Sequence, residues 1–195
     1  MIFDFIDGAS GNESAVARNA AAIAKIELQP RVLRDINNRS LRTQLLGREW
    51  GLPFGIAPMG MCALSWPGTD QAYGRVANER SIPHCLSTAA STSLEDCRRL
   101  AGENAWFQLY ISNVDAGWAL VDRAEKAGYE HLILTVDTPL ISRRRRELRR
   151  GFKVPFVFGP SQVLDFALHP QWSIATLLNG APRFGNNDPT ADANA

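Results

Sequence analysis

Cysteine is scarce in this chain, which has three among 195 residues. Cys62, Cys85 and Cys97 are odd in number and lie in apolar or helical contexts, so we expect packing roles in a reducing compartment rather than disulfides or a metal site. Charge of one sign is also lacking, because 21 basic and 20 acidic residues leave a net charge of +1. Such a balance argues against a dedicated nucleic-acid-binding protein.

Long hydrophobic runs are missing as well. No apolar stretch approaches the ~20 residues that cross a bilayer, and no signal peptide opens the sequence. We therefore expect a cytoplasmic protein. The hydrophobic content of 45% and the charged content of 21% are globular values, and the length suits one domain with a real core.

The organisation of the chain follows from its short apolar runs. Three helix-like segments separate the runs, at 68–80, at 91–100, where Thr92 and Glu95 form a predicted capping box, and at 115–127, where Gly128 ends the helix. Alternating strands and helices of this length predict βα units around a parallel sheet, with strands covered on both faces. The four predicted strands are 53–60, 83–88, 105–110 and 131–137.

The regions on either side of the βα units differ in character. Residues 1–50 predict a helix at 14–26 and a short hairpin that turns at Gly47. Residues 51–138 hold the four strands, and residues 139–195 show no fifth strand–helix unit. Four units are half of an eight-stranded barrel of ~250 residues, so the sheet is either open or part of a larger TIM-type barrel.

Ligands of parallel α/β folds bind beyond the carboxyl ends of the strands. Here those ends carry small hydroxyls, an amide, a phenol and, in the next loop, guanidinium groups. Ser87 and Thr135 could equally well bond nearby backbone, and Tyr110 could be an ordinary strand aromatic. Gln108 favours a ligand contact, because an amide inside an apolar run needs partners. None of the three histidines is a convincing general base.

Several motifs resemble the FMN-dependent α-hydroxy-acid oxidases and dehydrogenases, a family that includes glycolate oxidase, flavin-type L-lactate dehydrogenase and (S)-mandelate dehydrogenase. The resemblance covers nearly the whole chain in order. The motifs are FDFIDGA (3–9), PRVL (30–33), PFGIAPMG (53–60), LSTAAS (86–91), WFQLY (106–110), LTVDTP (134–139), RRRRELRRGF (143–152) and HPQWSIATLLNGAPRFGN (169–186).

The resemblance implies a TIM barrel that binds FMN and oxidises a small L-2-hydroxy acid, in an enzyme that is usually homo-oligomeric. It implies peripheral membrane contact after the fourth strand in some members. The implied flavin contacts are the backbone of Pro58, Met59 and Gly60 and the side chains of Ser87, Gln108 and Thr135. The implied substrate-binding positions are Tyr110, Arg144, whose fork would grip a carboxylate, and Phe5.

The departures from the family pattern set further expectations. Phe5 replaces a tyrosine that would touch the substrate carboxylate, and Met59 replaces a threonine or small residue. Ala89 replaces a large aromatic of plant glycolate oxidases, which favours lactate-like or aryl hydroxy acids.

The 195 residues contain no SNHGGRQ-like motif, which carries the family's catalytic histidine. The chain alone is therefore expected to be an inactive N-terminal half. The alternative is a basic module in which residues 143–150 bind nucleic acid or an anionic membrane.

Overall fold

The computed structural model describes residues 2–111, 113–137, 144–150 and 159–186. Two compact units are present: Met1–Ser40 with Pro139–Pro170, and Leu41–Thr138 with Gln171–Ala195. In chain order the elements are α1 (Ile2–Asp7), α2 (Ser14–Ala24), β1 (Thr43–Leu45), β2 (Arg48–Trp50), α3 (Thr69–Arg80), β3 (His84–Ser87), α4 (Leu94–Ala101), β4 (Ala105–Leu109), α5 (Val114–Lys126), β5 (Leu132–Leu134), α6 (Arg145–Arg150), α7 (Pro160–Leu168) and α8 (Pro170–Asn179).

The second unit is built on a three-stranded parallel sheet in the order β3-β4-β5, so the α/β prediction is confirmed. The predicted hairpin is also present as the antiparallel pair β1-β2, and Gly47 lies in its turn. Among the described residues the sheet is open and no closed barrel forms.

The first predicted strand is wrong as a full strand. Only Ile56 forms a bridge, with His84, and the main chain bonds through Ile56 N to Pro83 O and Cys85 N to Ile56 O. A parallel ladder uses the N–H of every second residue, and the next position, Pro58, has no N–H to donate. The segment therefore runs beside β3 without continuing the ladder.

The two faces of the sheet have different surroundings. Residues paired across parallel strands lie on the same face, and successive residues of one strand lie on opposite faces. Leu86 and Phe107 are paired and join the main hydrophobic core with residues of α3, α4 and α5. The other face carries Ser87, paired with Gln108, which in turn pairs with Ile133. One face is thus packed on helices, and the other holds the predicted ligand residues.

The expectation of strands covered on both faces fails at β5. Leu132, Ile133 and Leu134 are 48%, 38% and 49% exposed. Their apolar character predicted burial on both faces. Within the described residues, however, no neighbours cover these three side chains fully.

The start of α4 corrects a predicted cap. The helix begins at Leu94, and the Ser93 hydroxyl accepts the N–H of Asp96 at 3.1 Å. Thr92 is buried and lies 3.4 Å from the Gln71 amide nitrogen, while Glu95 forms an ion pair with Arg123 at 2.9 Å. The cap is shifted by one residue because the side chains of the predicted pair are engaged in tertiary contacts.

The cysteines are part of the packed interior. All three cysteines are free and buried, and burial raises the pKa of Cys85 to about 12, which confirms their packing role. The described part of the chain holds no cluster of side chains suited to a metal ion. No helix within it has both the length and the apolar character to span a bilayer.

Candidate functional site

A row of polar side chains crosses the carboxyl end of the sheet. The Ser87 hydroxyl donates to Gln108 Oε1 at 2.9 Å, and Gln108 Nε2 donates to Thr135 Oγ1 at 2.7 Å. Ser87 and Gln108 are buried, at 4% and 3% exposure. Three residues that the sequence singled out from three separate strand ends are therefore one connected hydrogen-bonding row.

This row keeps unused bonding capacity. An amide has two N–H donors and an oxygen with two lone pairs, and a hydroxyl both donates and accepts. The internal bonds use one donor of Gln108, and Thr135 retains its own hydroxyl proton. A planar ligand edge with alternating donors and acceptors would match such a row.

The loop that carries Pro58, Met59 and Gly60 is tied to the loop after β3. Met61 N donates to Ala89 O at 2.8 Å, and a Cβ at Gly60 would lie 3.2 Å from the Ala89 Cβ. Glycine therefore permits the close approach of these two loops. Met59 is 42% exposed, and Pro58 and Gly60 are also exposed.

A buried carboxyl supports the same two loops. Asp70 is 3% exposed and accepts the N–H of Ser91 at 3.0 Å, and the Ser91 hydroxyl accepts the N–H of Ala63 at 3.3 Å. Burial raises the pKa of Asp70 above its usual value. The sequence analysis missed Asp70 because a single acidic residue in the first turn of a helix is typical of helix termini in general.

Tyr110 is held at the end of β4 by a second hydroxyl. Thr88 Oγ1 donates to Gln108 O at 2.6 Å and accepts the N–H of Tyr110 at 3.0 Å. The Tyr110 side chain is 44% exposed. Its polar end is therefore available to a ligand from solvent.

Phe5 and Arg144 lie together in the first unit. Arg144 Nη2 donates to the carbonyl oxygens of Phe5 and Gly8, both at 2.6 Å, and its guanidinium lies 5.0 Å above the Phe5 ring. The sequence analysis paired these positions through a shared substrate carboxylate. The structure adds direct contact between them.

The neighbouring arginines do not form one solvated face. Arg146 bridges Asp7 and Glu13, with 2.7 Å to the latter, and this hydrogen bond lowers the pKa of Glu13. Arg145 and Arg149 are exposed. Arg143 lies outside the described residues. Arg146 is therefore not a solvent-facing charge, since it holds α1 and the residues after it.

An apolar cavity of about 380 Å³ lies on the same face of the sheet as the polar row. Cys85, Trp106 and Ile133 line it, and each precedes a member of the row by two residues. Trp106 stacks on His131 at 4.9 Å and meets the edge of Trp50 at 5.7 Å. The polar row thus borders an apolar floor.

The sequence also did not predict that the segment after α8 packs against the end of β3 and the start of α4. Asn186, after α8, is buried and accepts the N–H of Leu94, while its amide nitrogen donates to Ser87 O and Thr92 O. In the sequence, Gly185 and Asn186 are notable only as the end of the family motif at 169–186. No local periodicity indicates a contact between positions 92 residues apart.

Comparison with known proteins shows the family of this chain. The family model described as FMN-dependent dehydrogenase matches residues 1–194. The chain is 34% identical over 186 residues to (S)-mandelate dehydrogenase of Pseudomonas putida, covering 95% of this chain and 47% of that protein. It is 32% identical to L-lactate dehydrogenase of Pseudomonas syringae, covering 93% of this chain and 48% of that protein.

Solved structures give the same result. The crystal structure of monotopic membrane protein (S)-mandelate dehydrogenase matches with a TM-score of 0.92 at 33% identity, covering 97% of this chain and 51% of that one. A mandelate oxidase with (S)-4-hydroxymandelic acid matches with a TM-score of 0.74 at 37% identity, covering 79% of this chain and 43% of that one. The chain spans about half the length of these relatives. It belongs to the family of FMN-dependent dehydrogenases.

Proposed function

We propose that this chain provides the flavin-facing part of an enzyme that oxidises an L-2-hydroxy acid to the 2-oxo acid. The observation that carries the proposal is the connected row of Ser87, Gln108 and Thr135 beside the exposed Gly60 loop. We extend the α/β fold to a TIM-type barrel in which residues 51–138 supply four strands. Residues 1–50 and 139–195 belong to the same dehydrogenase domain in this proposal.

The residues present fit FMN. Ser87, Gln108 and Thr135 would hold the polar edge of the isoalloxazine, and Pro58, Met59 and Gly60 would face it through backbone atoms. Bound FMN would accept the two electrons that leave the substrate carbon. The buried row would fix the orientation of the ring, because each side chain is already held by its neighbour.

The substrate contacts that we propose come from Tyr110, Arg144 and Phe5. The Tyr110 phenol is exposed and can donate to a substrate oxygen. Arg144 would bind the carboxylate through its planar fork. Phe5 supplies a ring and a carbonyl but no hydroxyl, so one carboxylate contact is absent. Together with the small Ala89, this favours a lactate- or mandelate-like substrate, and the names of the relatives agree.

The proton of the substrate hydroxyl needs a base. His84 is buried, and His131 precedes β5 rather than following it, so neither stands at the polar row. We propose that the base is a histidine of a longer enzyme, outside these 195 residues.

The residues of this chain would contact only the isoalloxazine part of FMN, so the isolated chain is expected to bind FMN weakly or not at all. After incubation with FMN and desalting it should keep no visible flavin absorbance. It should not oxidise lactate or mandelate with an artificial electron acceptor, under conditions where the Pseudomonas putida mandelate dehydrogenase does. A yellow, active sample would contradict the proposed incompleteness.

The role of Gln108 can be measured in a chimera of residues 1–186 with the C-terminal half of that mandelate dehydrogenase. Gln108→Leu should weaken FMN binding by about tenfold or more, because it removes a flavin partner, the acceptor of the Ser87 hydroxyl proton and the donor to Thr135. FMN titration followed by fluorescence gives the dissociation constant. Gln171→Leu, on an exposed position of α8, is the matched control. Equal affinities in the two variants would remove Gln108 from the flavin site.

A second candidate is the basic module at residues 143–150. Arg144 and Arg146 already bind acceptors within their own unit, which leaves this proposal with Arg145 and Arg149 as described exposed charges. Peripheral membrane contact has separate support from the exposed apolar side chains Val163, Leu164 and Leu168 of α7. Sedimentation with anionic liposomes, compared between the wild type and Leu164→Ser, tests that contact.

A further inference from the structure

A second cavity of about 690 Å³ lies in the second unit, away from the polar row. Residues from the loop before α3, from α3 itself, from the loop after β3 and from the segment that follows α8 line it. Pockets of about 300–1,000 Å³ are typical of small-molecule sites. None of the residues that carry the proposed flavin and substrate contacts belongs to its lining.

The charges in this cavity are of one sign. Arg75 of α3 and Arg183 after α8 line it, and no aspartate or glutamate does. Neither guanidinium has a hydrogen-bond or ion-pair partner within the described ranges, in contrast to Arg123 and Arg146 of the same chain. Guanidinium groups bind planar oxyanions through two parallel N–H donors.

The neutral lining adds a further donor. The Ser91 hydroxyl is already engaged, because it accepts the N–H of Ala63 and hydrogen-bonds the Asp70 carboxyl. The Gln71 amide nitrogen contacts Thr92 Oγ1 at a long 3.4 Å and has a second proton. Asp70 does not line the cavity, because its carboxyl accepts the N–H of Ser91 at 3.0 Å.

We propose that Arg75 and Arg183 form a binding site for the phosphate group of a small phosphorylated organic molecule, assisted by Gln71. A phosphate carries three acceptor oxygens and about two negative charges at neutral pH, which match two forked cations and one neutral donor. The volume exceeds that of an isolated phosphate, so an organic portion can enter as well. This inference does not rest on the proposed oxidation.

The test is a titration of the ¹⁵N-labelled full chain with inorganic phosphate and, separately, with glycerol 3-phosphate, at constant ionic strength set by sodium chloride. We expect saturable amide shifts at Gln71, Ser91 and Gly180, with tighter binding of the ester. Arg75→Gln and Arg183→Gln should each weaken binding by about tenfold or more.

The matched control is Arg80→Gln, which removes the same charge from α3 outside the cavity. It should leave the affinity within about twofold. All three arginines are exposed, and the spectra of the variants report directly whether they fold. Shifts that do not saturate, or that Arg75→Gln and Arg183→Gln leave unchanged, would overturn the proposal. Binding of inorganic phosphate equal to that of the ester would overturn the organic part of it.

Discussion

Gly185→Ala is expected to destabilise the second unit by about 3 kcal/mol or more. A methyl group at this position would overlap the carbonyl carbon and oxygen of Thr92 and would lie 2.7 Å from Ser93 N. These are main-chain atoms, which cannot rotate away as the end of a flexible side chain can. The clash would push position 185 off the start of α4.

The loss of stability exceeds that caused by the clash alone, because Gly185 and Asn186 both form hydrogen bonds with the segment from the end of β3 to the start of α4. Gly185 N donates to Ala90 O at 2.9 Å, and Asn186 Oδ1 accepts the N–H of Leu94 at 2.9 Å. Displacing them leaves buried polar groups unpaired, at about 1–3 kcal/mol each.

Urea unfolding followed by circular dichroism measures the change in the free energy of unfolding. Gly180→Ala is the control, because nothing lies within 4 Å of a methyl group there and only its positive φ of 80° adds about 1 kcal/mol. Equal decreases in the free energy of unfolding for the two variants would show that the packing of Gly185 and Asn186 against the start of α4 does not stabilise the fold.

Acid should destabilise the protein through His84. The side chain is 3% exposed, neither ring nitrogen has a hydrogen-bond partner in the described part of the chain, and burial lowers its pKa from 6.5 to about 4. As the pH falls below 6.5, His84 binds a proton in the unfolded state, whereas in the folded state it stays neutral until the pH approaches 4. Stability is therefore lost between pH 6.5 and 4, by about 3 kcal/mol in total.

His84→Leu removes this titration at similar side-chain volume. Its free energy of unfolding should exceed that of the wild type by an amount that grows by about 3 kcal/mol between pH 7 and pH 4. His169→Gln, at a ring that is 67% exposed, is the control for replacing a histidine elsewhere in the chain. Parallel pH profiles for wild type and His84→Leu would show that His84 titrates normally.

Much of the geometry of the polar row could be predicted from the sequence, because it depends on strand ends. Ser87, Gln108 and Thr135 lie at or near the carboxyl ends of three short apolar runs, and parallel strands bring those ends to one edge. The structure joins the three side chains by two hydrogen bonds. The α/β class follows from the same alternation of runs and helices.

Other features depend on contacts that no local pattern records. The first strand failed because an apolar run does not show which N–H groups a ladder needs, and Pro58 lacks one. The cap of α4 moved because Thr92 and Glu95 face tertiary partners. In the sequence, Arg146 is one of six arginines at 143–150 and has no distinguishing feature. Its partners Asp7 and Glu13 are more than 130 positions away in the chain, so no local pattern indicates the contact.

The central claim is that the row of Ser87, Gln108 and Thr135 receives the polar edge of a flavin ring. A crystal structure of the 1–186 chimera grown with FMN tests it most directly. We expect all three side chains to lie within hydrogen-bonding distance of the isoalloxazine, with Gly60 against the ring. A flavin bound elsewhere, with the row bonded only to itself, would contradict the account.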